Sequence, residues 1–161
     1  MSERLNGYWI IVASLLVAAV LAVLPLTESL IWWRPEWILL VLLYWTIALP
    51  HRVGLVTALA VGLLVDVMEG AVLGQNMLCL AVAVTLAGLM YQRLRVFSLL
   101  QQASVVFVLA GLHQLLTQWL QSLQGGGVSG FAFLFPALST ALLWPLLMPV
   151  LRGLRRSYKV N

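Results

Sequence analysis

Asp66 and Glu69 interrupt the otherwise apolar stretch VGLVTALAVGLLVDVMEGAVLGQN, residues 53 to 76. Carboxylates in such surroundings relay protons, contact a ligand, or hydrogen-bond neighbouring helices. A relay needs a second titratable group deeper in the same layer, and the chain offers none beside Asp66. A second polar set follows later, where Gly111, Gln114, Thr117, Gln118 and Gln121 share one helical face and His113 flanks it. His51 falls in a turn at the opposite end, so the two histidines do not combine into a metal site. Cys79 is the single cysteine, which excludes an internal disulfide and any metal site built on cysteine clusters. No serine stands in a recognisable arrangement with a histidine or lysine, and the glycine-rich QGGGVSG, residues 124 to 130, lacks the lysine a phosphate loop needs. The residues point to no catalysis, no cofactor and no metal.

The elements that must position these groups follow from composition. Hydrophobic residues make up 63% of the 161 and charged ones 9%, against about 25% charged in a soluble domain. With a mean hydropathy of +1.03, most of the chain calls for lipid as its solvent. Charges and prolines divide it into apolar segments near residues 7 to 26, 35 to 50, 53 to 68, 76 to 92, 96 to 120 and 131 to 151. The expected fold is therefore all-α: one membrane domain, residues 1 to 161, built as a bundle of six transmembrane helices. The first segment is longer than a signal-peptide core and reads as an uncleaved span. The second and third are short, so either Trp32 and Trp33 extend the second or both cross with local thinning of the bilayer. Pro145 and Pro149 should bend or loosen the last helix.

Basic residues set the orientation. With six spans and a cytoplasmic N-terminus, Arg4, Arg52, Arg93, Arg95, Arg152, Arg155, Arg156 and Lys159 fall inside, and only Arg34 falls outside. Five spans would bury Pro50 and Arg52 in mid-membrane with no obvious partner. Both termini are thus expected in the cytoplasm, with Trp9 near the inner interface and Trp32, Trp33, Trp37 and Trp119 near the outer one. The pI of 9.8 reflects an orientation signal and contact with anionic lipid, not nucleic-acid binding.

Gly54, Ala58, Gly62 and Asp66 recur every fourth residue, a small-residue stripe that lets helices approach closely in lipid. Asp66 should continue that seam toward the outer end, while Glu69, ahead of Gly70 and Gly74, should sit solvated in a turn. Ser14, Ala18 and Ala22 form a similar stripe on the first span, expected to pack within the bundle. Asp66, Gln114 and Gln118 are then candidates for an outward polar cluster. That cluster is packed internally, lines a pocket, or faces another membrane protein, and the sequence leaves all three open. On a packing role, Asp66→Asn should be tolerated and Asp66→Leu should not.

Three segments carry a family resemblance: RPEWILLVLLYWTIALPHRVG at 34 to 54, GLLVDVMEGAVLGQ at 62 to 75 and LWPLLMPVLRGLRR at 143 to 156. They resemble MreD, the small rod shape-determining protein of the Gram-negative inner membrane. The matching positions are Arg34, Pro35, Tyr44, Trp45, Pro50, Arg52, Gly62, Asp66, Gly70, Gly74, Trp144 and Pro145. They read as architecture and contact points, and Glu69 departs from the family pattern. The resemblance implies a non-catalytic multi-pass protein that binds MreC and acts with the MreB cytoskeleton, RodA and a class B penicillin-binding protein in peptidoglycan synthesis. It also implies a bundle similar to the substrate-capture subunits of energy-coupling-factor vitamin transporters. Two functions follow as expectations: an assembly protein meeting its partner through a small-residue stripe or the polar cluster, or a capture subunit holding a small ligand at Asp66, Gln114 and Gln118.

Overall fold

The structure is a computed structural model that describes residues 2–127 and 130–158. Lys159 and the loop residues Val128 and Ser129 lie outside the described residues, as does the side chain of Arg4. Regular structure among the described residues is entirely helical. Six α-helices follow in order: α1 (Ser2–Val23), α2 (Trp37–Ala48), α3 (Leu55–Glu69), α4 (Gln75–Val96), α5 (Leu99–Leu123) and α6 (Leu134–Ser157). Short 3-10 helices, Glu28–Trp33 and Phe131–Phe133, precede α2 and α6.

Three helical stretches, Gln75–Val96, Leu99–Leu123 and Phe131–Ser157, are long and apolar enough to cross a membrane, and Gly7–Val23 is a shorter apolar helix. Helix α2 has 12 residues, about 18 Å at 1.5 Å per residue, against about 30 Å of hydrocarbon. Trp32 and Trp33 do not lengthen it, because they belong to the exposed 3-10 helix and the chain turns at Arg34–Glu36 before α2 begins. The short helix is instead the centre of the bundle. Every residue from Leu39 to Ala48 is buried, with α1, α4, α5 and α6 packed around it. A helix apolar on all sides can be covered by lipid or by protein, and here neighbouring helices cover it.

Its ends are satisfied by side chains of those neighbours, as backbone polar groups away from water require. The Glu36 N–H donates to Thr140 Oγ1 of α6 at 3.0 Å. At the other end Arg95 of α4 donates from Nε to the Ile47 carbonyl at 2.9 Å and from Nη2 to the Ala48 carbonyl at 2.7 Å. Within the helix, Thr46 Oγ1 donates to Leu42 O, and Trp45 Nε1 donates to Ser14 Oγ of α1 at 2.9 Å. The small stripe of α1 thus packs inward, with Ser14 on Trp45 and Ala18 buried. Gln102 of α5 ties three helices together: its amide donates to the Leu94 and Phe97 carbonyls, and its oxygen accepts from Trp144 Nε1 of α6 at 3.1 Å.

Successive helices alternate in direction, so the start of α1 and the end of α6 share one end of the bundle with Arg52, Arg93, Arg95, Arg152, Arg155 and Arg156. Glu28, Glu36, Asp66 and Glu69 gather at the opposite end together with Arg34. Helix α6 runs through Pro145 and Pro149 as one helix. The prolines have no N–H, so the carbonyls of Ala141 and Pro145 lose their usual donors there.

Candidate functional site

Asp66 is fully buried, and its surroundings begin with Gly62 one turn earlier. A Cβ on Gly62 would stand 2.4 Å from Met77 Cα and 2.7 Å from Met77 N, so α3 and α4 touch backbone to backbone. Ala58, also fully buried, continues this seam, and the Gly54 carbonyl accepts the Ala58 N–H at 3.0 Å where α3 starts. The close approach brings Asp66 to the beginning of α4. Its Oδ2 accepts the N–H of Gly74 and its Oδ1 the N–H of Asn76, both at 2.8 Å. Two of the unpaired amides of α4 are thereby satisfied, and a negative charge sits at the positive end of the helix dipole.

The main chain of the same residue ends α3. Gly70, at φ +63°, and Ala71 both donate to the Asp66 carbonyl, a left-handed helix stop that glycine adopts without strain. Asp66, Gly70 and Gly74 therefore form a corner: one residue closes α3 with its carbonyl and opens α4 with its carboxylate. Glu69 is exposed as expected but is the last residue of α3, ahead of the turn and not in it, and its Oε2 accepts from Asn76 Nδ2 at 3.0 Å.

Beside this corner lies a cavity of about 340 Å³ between the ends of α1 to α6. Glu36, Glu69, Asn76, His113, Gln114, Thr117 and Gln121 line it, with Arg34, Pro35 and Trp37 at the start of α2. Glu36 is its organising group. One oxygen accepts from Gln114 Nε2, and Oε2 lies 2.9 Å from His113 Nδ1, with both side chains about nine-tenths buried. The Glu36–His113 contact is close without being a well-formed hydrogen bond, and His113 Nε2 is buried with no partner among the described residues. The lining offers no serine or cysteine for such a pair to activate. No group of three metal-binding side chains occurs among the described residues. What the cavity can do is hydrogen-bond a polar guest.

The structure separates the residues that the sequence grouped. Gln114 reaches the cavity and binds Glu36, not Asp66. Asp66 is outside the cavity lining, both its oxygens being taken by α4. Gln118 is half-buried on α5 and does not line the cavity. Gly62 faces α4 and Ala58 is buried within the bundle, whereas Gly54 caps the start of α3, where a Cβ would meet only the Pro50 carbonyl oxygen at 3.7 Å. Arg34 and Pro35 border the cavity, Tyr44 and Trp45 are core residues of α2, and Trp144 and Pro145 lie in α6. After Pro50, the Arg52 guanidinium lies over the Tyr8 ring, 5.3 Å from its centroid. Glu36 escaped the sequence reading, because the groups it meets, Gln114 and Thr140, are 78 and 104 residues away. The available signal was an acid between Pro35 and Trp37 at the start of an apolar helix.

A family model described as rod shape-determining protein MreD matches residues 3–154. The rod shape-determining protein MreD of Haemophilus influenzae is 28% identical over 162 residues, with 100% of each chain covered. No solved structure matches. Because the family match takes in α1, the Asp66 corner, the cavity and nearly all of α6, the chain belongs to the MreD family of rod shape-determining proteins.

Proposed function

We propose that this chain is a non-catalytic, multi-pass component of the rod-shape complex in the bacterial inner membrane. In this reading all six helices occupy the membrane layer, the arginine-rich end faces the cytoplasm, and the cavity end faces the periplasm. The bundle binds MreC and helps couple the MreB cytoskeleton to peptidoglycan synthesis by RodA and a class B penicillin-binding protein. Family membership along the whole chain is the observation that carries the proposal. The concentration of arginine at one end supports the orientation, by the positive-inside rule. Depleting the protein in its host and scoring cell width tests the function. Rods that round up and recover on re-expression support it, whereas rods that keep their width count against it.

The cavity favours a second reading, a substrate-capture subunit of a vitamin-type transporter related in architecture to the energy-coupling-factor systems. Its volume of about 340 Å³ and its Glu36, His113 and Gln114 lining suit a small polar ligand. Asp66 and Gln118 would then act outside the binding contacts. A nutrient-uptake defect with normal cell width in the same depletion strain would place this reading first.

A further inference from the structure

The cavity beside the Asp66 corner is faced by polar atoms that the folded chain leaves unsatisfied. Glu36 Oε2, His113 Nδ1 and His113 Nε2 are buried without a well-formed hydrogen bond among the described residues, and both side chains line the cavity. The His113 and Glu36 side chains are 10% and 11% exposed, so bulk water does not serve them. Buried polar atoms are ordinarily paired, and unpaired ones that share one cavity point to a partner from outside the chain.

The kind of partner follows from the atoms themselves. His113 Nδ1 lies 2.9 Å from a carboxylate oxygen, which places the imidazole proton on Nδ1 and leaves Nε2 with its lone pair. Gln114 donates to one oxygen of Glu36, while Oε2 has no such donor. Nε2 and Oε2 therefore both call for a hydrogen-bond donor. The charges agree with that demand. Glu36 and Glu69 are the carboxylates of the lining and Arg34 is its one guanidinium, so the cavity carries one net negative charge when His113 is neutral. Helices α2, α4 and α6 begin at this end while α1, α3 and α5 finish there, and their dipoles largely cancel. A protonated amine brings three donors, no acceptor and the matching charge. A carboxylate or phosphate guest would instead bring acceptors toward Glu36 and Glu69. Trp37 lines the same space, and an aromatic ring also attracts a cation.

We propose that this cavity binds a small ligand through a protonated primary amine, which donates to Glu36 Oε2 and His113 Nε2, with Glu69 as the second countercharge. The inference rests on the second reading above only in taking the cavity as a ligand site, and it does not require transport. Two sources share this chemistry, a free small amine and the headgroup of phosphatidylethanolamine. The volume of about 340 Å³ equals that of about eleven liquid waters at ~30 Å³ each, room for either of these but not for acyl chains. With a lipid headgroup, Arg34 is the lining residue whose charge suits the phosphate.

The test uses the full chain purified in an uncharged detergent and titrated with ethanolamine, choline, ethylene glycol, glycolate and short-chain phosphatidylethanolamine, with binding followed by calorimetry. Ethanolamine should saturate one site at about 1–10 mM, an affinity within reach of so small a ligand. Choline, a cation without N–H donors, should bind several-fold more weakly, and ethylene glycol and glycolate more weakly still. Glu36→Gln should weaken ethanolamine about tenfold, the loss of one charge-assisted hydrogen bond. Glu69→Gln, which keeps an acceptor for Asn76 and so spares the fold, should weaken it several-fold. Glu28→Gln, at the same end but outside the lining, should leave it unaltered. Phosphatidylethanolamine binding tighter than ethanolamine, and weakened by Arg34→Gln, supports the lipid headgroup as the source; lipid binding no tighter than ethanolamine supports a free amine. Ethylene glycol or glycolate binding as tightly as ethanolamine overturns the amine assignment and leaves the capture reading standing. Choline binding as tightly as ethanolamine, equal losses in Glu28→Gln and Glu69→Gln, or no saturable binding of either amine-bearing probe also overturns the proposal, while the capture reading is judged separately by nutrient uptake in the depletion strain.

Discussion

Replacing Asp66 tests the corner between α3 and α4 more directly than any other change. Its carboxylate accepts the Gly74 and Asn76 amides, both at 2.8 Å, the second of them fully buried. Hydrogen bonds to a charged group contribute about 1.5–3 kcal/mol each, and a charge at a helix end about 0.3–1 kcal/mol. Asn at this position keeps one acceptor oxygen, and its amide then faces the other backbone N–H donor to donor. Asp66→Asn should therefore cost about 2–4 kcal/mol, one bond plus the charge. Asp66→Leu removes both acceptors and should cost about 3–7 kcal/mol, a large share of a typical total of about 5–15 kcal/mol. The expectation that Asn is tolerated thus gives way to a graded series, Asp above Asn above Leu. Denaturation in mixed micelles with increasing sodium dodecyl sulfate measures the series, and the level of each variant in the membrane provides a second readout. If Asp66→Leu unfolds at the same detergent fraction as the unsubstituted protein, the capping account of Asp66 is wrong.

Other substitutions probe the remaining contacts. Gly62→Ala should cost about 1–3 kcal/mol in the same denaturation, because the new methyl meets the Met77 backbone instead of a side chain that can move aside. Glu36→Gln and His113→Gln should each destabilise, and the double variant should lose less than the sum of the two, with a coupling of about 0.5–3 kcal/mol. Strict additivity in that cycle would show that the 2.9 Å approach carries no interaction. Ser14→Ala should cost about 1–3 kcal/mol by leaving the Trp45 indole N–H buried without an acceptor, an effect that Ser14→Thr should largely avoid.

Much of the architecture was legible in the sequence because lipid and backbone geometry act locally. A run of apolar residues has few stable alternatives to a helix in lipid, so the six segments and the six helices coincide apart from their ends. The largest shifts occur where polar residues continue a helix beyond its apolar part: α1 begins at Ser2, α4 runs to Val96 and α6 into the basic tail to Ser157. The fourfold spacing of Gly54, Ala58, Gly62 and Asp66 marked one helix face, and at Gly62 and Asp66 that face meets α4. The capping role of Asp66 was missed even though its partners are only 8 and 10 residues away. A face analysis asks which helix a side chain points toward, and Asp66 serves the end of the next helix instead of its side.

Sequence by itself determined the family, the helical class and the separation of basic from acidic residues, since each depends on composition or on spacing within one element. Tertiary structure decided three other things. It placed the 12-residue α2 at the centre, which its apolar run alone did not reveal because lipid-facing and protein-facing helices are similarly apolar. It joined Glu36 to His113 and Gln114, and it gathered Tyr44, Arg95, Arg152 and Arg155 around one cavity. Hydropathy orders residues along the membrane normal, but which helices stand side by side is fixed by close packing of particular side chains, and only the folded bundle contains that information.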